Sequence, residues 1–264
     1  MSQKNLNASN KTHKFLLNKL KDKQTFQIYK KFEKDLKLNE NFIVAVSGGP
    51  DSLALAFLAK IYSIKKKIKS RFIIIDHKLR PESTKEARVV KNILKGYLIN
   101  AEVLIWKGQK PNKNIQSLAR KKRYEILFAK CDELKISNIL LGHHEDDLLE
   151  NFFIRILRGS GLNGLISLEK NNKIENKNLL RPLLYLKKED LLFISKYVFG
   201  FYVQDPTNQN EKFLRIKIRK LTKELKNNGL DKKKFFQTIK NLKSSNKVIN
   251  FYVNQNLKRN TFLL

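Results

Sequence analysis

Residues 42–55, FIVAVSGGPDSLAL, carry the sharpest chemical signal in the chain. An apolar run leads into Ser47, Gly48, Gly49, Pro50, Asp51 and Ser52, and a helix-like pattern follows at once. Paired glycines let the backbone approach a ligand closely, and a helix N-terminus offers amide groups and the positive end of a dipole. The six residues are therefore expected to cradle phosphate groups. The Gly-Lys-Ser/Thr ending of the kinase and GTPase loop is missing, so this is a different phosphate loop. Asp51 and Ser52 also suit ordinary helix capping.

A second concentration of chemistry lies at His143, His144, Asp146, Asp147 and Glu150, five of the six ionisable groups within eight residues. Asp147 and Glu150 are three apart and share a helix face. One acid at a helix start is an ordinary dipole partner; five ionisable groups exceed what capping requires. Two jobs fit them. One is Mg²⁺ for nucleotide phosphates, with Asp51 and Asp146 as ligands; the other is the ammonium group of an amine substrate. The adjacent histidines lack the i, i+4 spacing of a zinc pair. Between these clusters, in LARKKRY, Arg120 and Arg123 stand three apart and so neighbour each other on a helix face. Such a pair can stabilise charge developing on a phosphoryl group, or can be an ordinary solvated face.

The scaffold around these groups is legible from periodicity. Short apolar runs at 41–46, 71–75, 101–106 and 138–141 alternate with helix-like stretches at 51–66, 83–98, 115–135 and 145–158. That alternation predicts an α/β fold with a doubly wound parallel sheet. Ligands of such sheets sit at the carboxyl ends of strands, which puts Asp76 and His77 at the crevice. A loop histidine making one backbone hydrogen bond is the plainer reading of His77. Three regions are expected: a basic helical segment over 1–40, the catalytic α/β domain over 41–186, and a small, basic, helical C-terminal appendage over 187–264. Residues 159–186 read as a loop with short elements, and 170–178 as polar enough to be mobile.

The formal net charge is +31 in 264 residues, which points first to nucleic acid as a partner. Lys, Asn and Ile abound together, so part of this charge reflects an AT-rich coding bias. Arginine is the better clue. Eight of the 11 arginines (Arg80, Arg120, Arg123, Arg155, Arg158, Arg181, Arg215, Arg219) fall in or beside the motifs, where planar bidentate contacts have a use. Residues 211–264 hold 15 Lys/Arg against 3 Asp/Glu, with Phe213, Phe235, Phe236, Phe251 and Tyr252 interleaved. Cys131 is the only cysteine; it excludes an internal disulfide and suits a reducing, cytoplasmic setting. No apolar stretch approaches a membrane span and the first residues lack a signal-peptide core, so no membrane association is expected.

Taken in order, SGGPDS, DHKLRPES, LARKKRY, HHEDDLLEN…RGSGLNGL, LLRPLL and DPTN followed by Arg215 and Arg219 resemble the tRNA(Ile)-lysidine synthases over roughly residues 41–220. SGGPDS is similar to the SGGxDS motif of pyrophosphatase-type ATP-binding enzymes, which implies an adenine nucleotide α-hydrolase-like fold and cleavage of ATP to AMP and pyrophosphate. The resemblance implies that ATP adenylates the O2 of the wobble cytidine in the CAU-anticodon isoleucine tRNA. The ε-amine of L-lysine then displaces AMP at C2. It assigns ATP, with Mg²⁺, to Ser47–Ser52 with Asp76 and His77, the nucleotide phosphates to Arg120 or Arg123, lysine to Asp147, Glu150 and His143, and tRNA to Arg215 and Arg219. Asp51, Arg120, Arg123, Asp147 and Glu150 are then the catalytic set. A homodimer is compatible with the sequence. Two positions depart from the family pattern: Leu148 stands for a glutamine and Asn151 for a threonine.

Three other readings are weaker. A tRNA thiolase would use paired cysteines or an iron–sulfur cluster. A metabolite ligase of the same fold would need neither the HHEDD block nor a basic tail. A non-catalytic RNA-binding protein would leave the phosphate loop and clustered carboxylates without a task.

Overall fold

The computed structural model describes residues 13–108, 115–204 and 214–260. Residues 1–12 of the basic N-terminal segment, the DPTN motif at 205–208 and Phe213 lie outside the described residues. Residues 13–18 are helical and lead through a 3-10 turn, Lys19–Lys21, to α1 (Lys23–Leu36). There the Asp22 carboxylate caps the helix by accepting the Thr25 amide at 2.7 Å. The chain then alternates: β1 (Phe42–Val46), α2 (Pro50–Lys66), β2 (Ser70–Asp76), α3 (Ser83–Gly96), β3 (Ala101–Ile105), α4 (Ile115–Leu134) and β4 (Asn138–Leu140). After these come α5 (Glu145–Leu157), the one-turn α6 (Leu162–Leu165), β5 (Asn171–Ile174), β6 (Lys177–Leu180), α7 (Lys188–Phe199), α8 (Leu214–Asn227) and α9 (Lys232–Asn260).

The six strands form one sheet in the order β3-β2-β1-β4-β6-β5. All pairings are parallel except β5 with β6, so this is the doubly wound α/β sheet that the alternation predicts. Side-chain alternation decides the layers. Phe42, Val44 and Val46 of β1 face one way and join a large cluster with residues of α1, α2, α3 and α7. Ile43, one residue out of phase, faces the other way, where Leu127 and Cys131 of α4 meet Ile73, Ile139 and Leu179. Strands apolar on both faces are what a parallel sheet covered by helices requires. Helix α2 is apolar nearly all round, with Leu53–Ala59 wholly buried. Truncating Leu55 to alanine is expected to cost roughly 2–5 kcal/mol.

The stretch 170–178, expected to be mobile on its polarity, forms the β5–β6 hairpin at the sheet edge instead. Backbone pairing is joined there by polar contacts that polarity alone does not advertise. Asn178 donates to Asn138 at 2.9 Å, Lys170 pairs with Asp35 at 2.6 Å, and the buried Lys177 ammonium pairs with Asp132.

Two compact units divide the chain: Met1–Glu145 with Lys170–Asp205, and Asp146–Glu169 with Pro206–Leu264. The first holds the sheet together with α1–α4 and α7. The second holds most of α5 with α6, α8 and α9. Its aromatic centre sets Phe235 of α9 edge-on to Phe152 at 5.0 Å and stacks it on Phe153 at 5.9 Å. Among the described residues no helix is long and apolar enough to cross a membrane.

Candidate functional site

The SGGPDS loop joins β1 to α2 in the first unit, and its shape is fixed from within. The Ser52 hydroxyl accepts the amides of Ser47 at 3.1 Å and Gly48 at 3.0 Å, and donates to the Gly49 carbonyl at 2.9 Å. Gly48 has φ +86°, and a Cβ there would stand 2.5 Å from Val90 Cγ2. Both the left-handed backbone and the close approach require glycine. From β4's exit, Gly142 passes so near that a Cβ on it would lie 3.4 Å from Ser52 N. Pro50 opens α2, and the first intrahelical bond runs from Leu53 N–H to Gly49 O at 3.0 Å. The Asp51 and Ser52 amides therefore lie ahead of the helical ladder, where a helix start receives an anion. Ser52, named as a ligand contact from sequence, has its hydroxyl engaged in holding the loop.

Asp51, in the first turn, has its Oδ2 3.6 Å from Nε2 of the buried His144. Sequence alone gives His144 no role of its own; its adjacency to His143 in the HHEDD run is the signal available.

At the end of β2, Asp76 and His77 part company. Asp76 is buried and accepts the Lys78 amide at 2.9 Å, Ser83 Oγ at 2.8 Å and Thr84 Oγ1 at 2.6 Å. Burial opposes its ionisation, yet these hydrogen bonds outweigh burial and hold the carboxyl below its ordinary value. Asp76 thus secures the loop before α3. His77 stands next to it at the same strand end. Burial first, then the Arg123 guanidinium, pushes its pKa down to about 4, so the ring is neutral near pH 7. Nε2 faces Arg123 Nε at 3.4 Å, while the buried Nδ1 has no hydrogen-bond partner among the described residues. With Nε2 accepting, the tautomer inferred from this contact puts the proton on Nδ1 and makes it a donor. The Trp106 ring lies edge-on, 6.5 Å away.

The two arginines of α4 take different partners. Arg123 faces His77, whereas Arg120 lies against Tyr124, with Nη2 3.2 Å from its hydroxyl.

In the second unit the α5 carboxylates meet the C-terminal helices. Arg215 donates from Nε to Glu150 Oε2 at 2.5 Å and from Nη2 to Asp147 Oδ1 at 2.6 Å. Arg219 donates from Nε to Glu150 Oε1 at 2.6 Å. Asp146 accepts Lys226 and Lys232, each at 3.0 Å. Burial would raise its pKa, but the two ammonium groups prevail and hold it below the ordinary value. The family resemblance assigns Arg215 and Arg219 to tRNA and Asp147 and Glu150 to lysine; the structure brings all four together. Lys226 and Lys232 are not foreseeable from the motifs, since their partner is 80 or more residues away in the chain.

A resident Mg²⁺ does not fit Asp146, because a cation would have to displace two ammonium groups. Among the described residues no group of three or more His, Cys, Asp or Glu is gathered for a metal.

A mostly parallel sheet with a glycine phosphate loop at the end of its central strand defines a nucleotide-binding α/β protein. Within that class, a family model described as a PP-loop domain matches residues 19–225, and the chain belongs to that family. This ATP-binding family implies use of ATP. The chain is 41% identical over 187 residues to the tRNA(Ile)-lysidine synthase of Orientia tsutsugamushi (strain Boryong), covering 71% of this chain and 42% of that protein. To the tRNA(Ile)-lysidine synthase of Rhodopseudomonas palustris it is 35% identical over 199 residues, covering 75% and 58%. The chain thus spans about half the length of the curated relatives it matches. Among solved structures it superposes on the U34-tRNA thiolase NcsA from Methanococcus maripaludis, which has a [4Fe-4S] cluster. The TM-score is 0.69 at 20% identity, covering 84% of this chain and 79% of that one, a likeness of fold.

Proposed function

We propose that this chain is a cytoplasmic tRNA-modifying ligase that joins L-lysine to C2 of the wobble cytidine in the CAU-anticodon isoleucine tRNA. Cytosine O2 attacks the α-phosphorus of ATP and pyrophosphate leaves. The lysine ε-ammonium gives up a proton to water, the neutral amine then attacks C2, and the C–O bond breaks to release AMP. The observation that carries this reading is the similarity to lysidine synthases together with the presence of both groups it needs, the glycine phosphate loop and the paired α5 carboxylates.

The roles follow from the local chemistry. The α2 N-terminus and the Ser47–Ser52 backbone receive the phosphates, with Mg²⁺ arriving on ATP itself. Asp51, in the first turn and beside His144, orients what binds there. Arg123 stabilises charge on the departing pyrophosphate, and His77 Nδ1–H donates to a nucleobase acceptor. Asp147 and Glu150 accept the lysine ammonium, and the exposed lysines of α9 meet the tRNA backbone. Cys131 argues against sulfur transfer. It is buried and is the only cysteine of the chain, and burial pushes its thiol up to about 11.

Pyrophosphate release tests the reading. It should require ATP and the tRNA together, and Asp51→Ala should abolish it while the melting temperature is kept. Equal release without tRNA, or with Asp51→Ala, would overturn the proposal.

A further inference from the structure

The four charges at Glu150 raise a question that the proposed role of the carboxylates leaves open. An ammonium ion binds where an acceptor oxygen is within reach and the local charge is negative. Here Glu150, with its side chain only 5% exposed, accepts a guanidinium on each oxygen, and Asp147 accepts one of the same two. Two carboxylates face two guanidiniums, so the charges of these four side chains sum to zero.

The helices are matched for this. Asp147 and Glu150 are three apart on α5, and Arg215 and Arg219 are four apart on α8, so each pair presents one face. The two arginines are not equivalent. Arg215 bridges both carboxylates and holds their spacing, whereas Arg219 reaches Glu150 through Oε1. Removing Arg219 would leave the bridge in place, release one carboxylate oxygen and give these four positions a net charge of −1. A guanidinium bound to a nearly buried carboxylate also has little net charge left for a phosphate.

We infer that Arg219 is a positioning residue that acts through Glu150 to set the affinity for the amine substrate, competing with its ammonium group, and is not a tRNA phosphate contact. The inference rests on the proposed assignment of lysine to Asp147 and Glu150.

The test uses the full chain with ATP, lysine and the CAU-anticodon tRNA transcript, and follows AMP formation against lysine concentration. Arg219→Gln should lower KM for lysine by about three- to tenfold, the scale of one partly exposed charge-assisted contact. The change should lie in KM and not in kcat. Arg219→Lys keeps the charge and should bring KM back toward the parent value. The slope of log tRNA affinity against log salt should stay unchanged in Arg219→Gln. Should the glutamine variant fail to fold, Arg219→Met removes the same charge with a side chain suited to a helix. An unchanged or raised KM overturns the inference. So does a salt slope reduced by the roughly 0.7–0.9 that one lost phosphate contact gives. Glu150→Gln separates this inference from the reading beneath it: if it leaves the lysine dependence untouched, the assignment of lysine to this pair fails as well.

Discussion

The phosphate loop and the carboxylate cluster are both proposed to hold charged ligands, but they are built in opposite ways. The loop is short in sequence and almost uncharged. Ser52 secures it through the Ser47 and Gly48 amides four and five residues away, and Gly48 fits because nothing larger does. The cluster is assembled across 65 to 80 residues of chain by ion pairs to Arg215, Arg219 and Lys226. A loop held by backbone geometry keeps its shape whatever binds, which suits a nucleotide common to every turnover. A cluster held by ion pairs can exchange one cation for another, which suits an amine that must be admitted and consumed.

The largest expected effect breaks the loop. Gly48→Ala forces a non-glycine residue into a left-handed backbone, at ~1–2 kcal/mol, and drives its Cβ toward Val90 Cγ2, at ~1–3 kcal/mol of overpacking. The two together predict about 2–5 kcal/mol lost in chemical denaturation, with pyrophosphate release abolished. A variant as stable and active as the parent would show that the loop's shape is not what matters.

A smaller effect separates the two regions by their response to acid. The folded protein refuses a proton at His77 until about pH 4, whereas the unfolded chain takes it near pH 6.5. Between those values the unfolded state binds more protons, so the His77 contribution makes stability fall as pH falls and levels off below pH 4. Asp146 shifts in the same direction but acts in a lower pH window. Its pKa lies below the ordinary 3.8, so its stabilising contribution is present above that value and lost only as pH falls further. Trp106, the sole tryptophan, lies beside His77. Melting followed by its fluorescence should therefore weaken from pH 6.5 to 4, and His77→Gln should flatten that slope. An unchanged slope in the variant would assign the effect elsewhere.

The same contrast explains how much is legible in the sequence. The parallel sheet is legible because Phe42, Ile43 and Val44 are apolar in succession, as a strand covered on both faces requires, and because such short runs alternate with helix-like stretches. The glycine loop is legible because strand, glycines and helix follow each other without a break. The β5–β6 hairpin is not, since its order comes from Asn138, Asp35 and Asp132, none of them near it in sequence. Asp76 reads from sequence as a ligand because it ends a strand; the donors it accepts at Lys78, Ser83 and Thr84 are a bracing task that the sequence does not show. The encounter of Arg215 and Arg219 with Glu150 is out of reach for the same reason as the hairpin. Spacing along a helix tells which residues share a face, and cannot tell which distant helix supplies the charges opposite.

Transfer of lysine to tRNA is the decisive measurement for the proposed reaction. With radiolabelled lysine, ATP and the CAU-anticodon isoleucine tRNA transcript, the proposed reaction predicts one lysine fixed to tRNA for each AMP released. It also predicts none on a transcript whose wobble cytidine is replaced by uridine. Turnover of ATP with the label left free, or equal labelling of the uridine transcript, would contradict it.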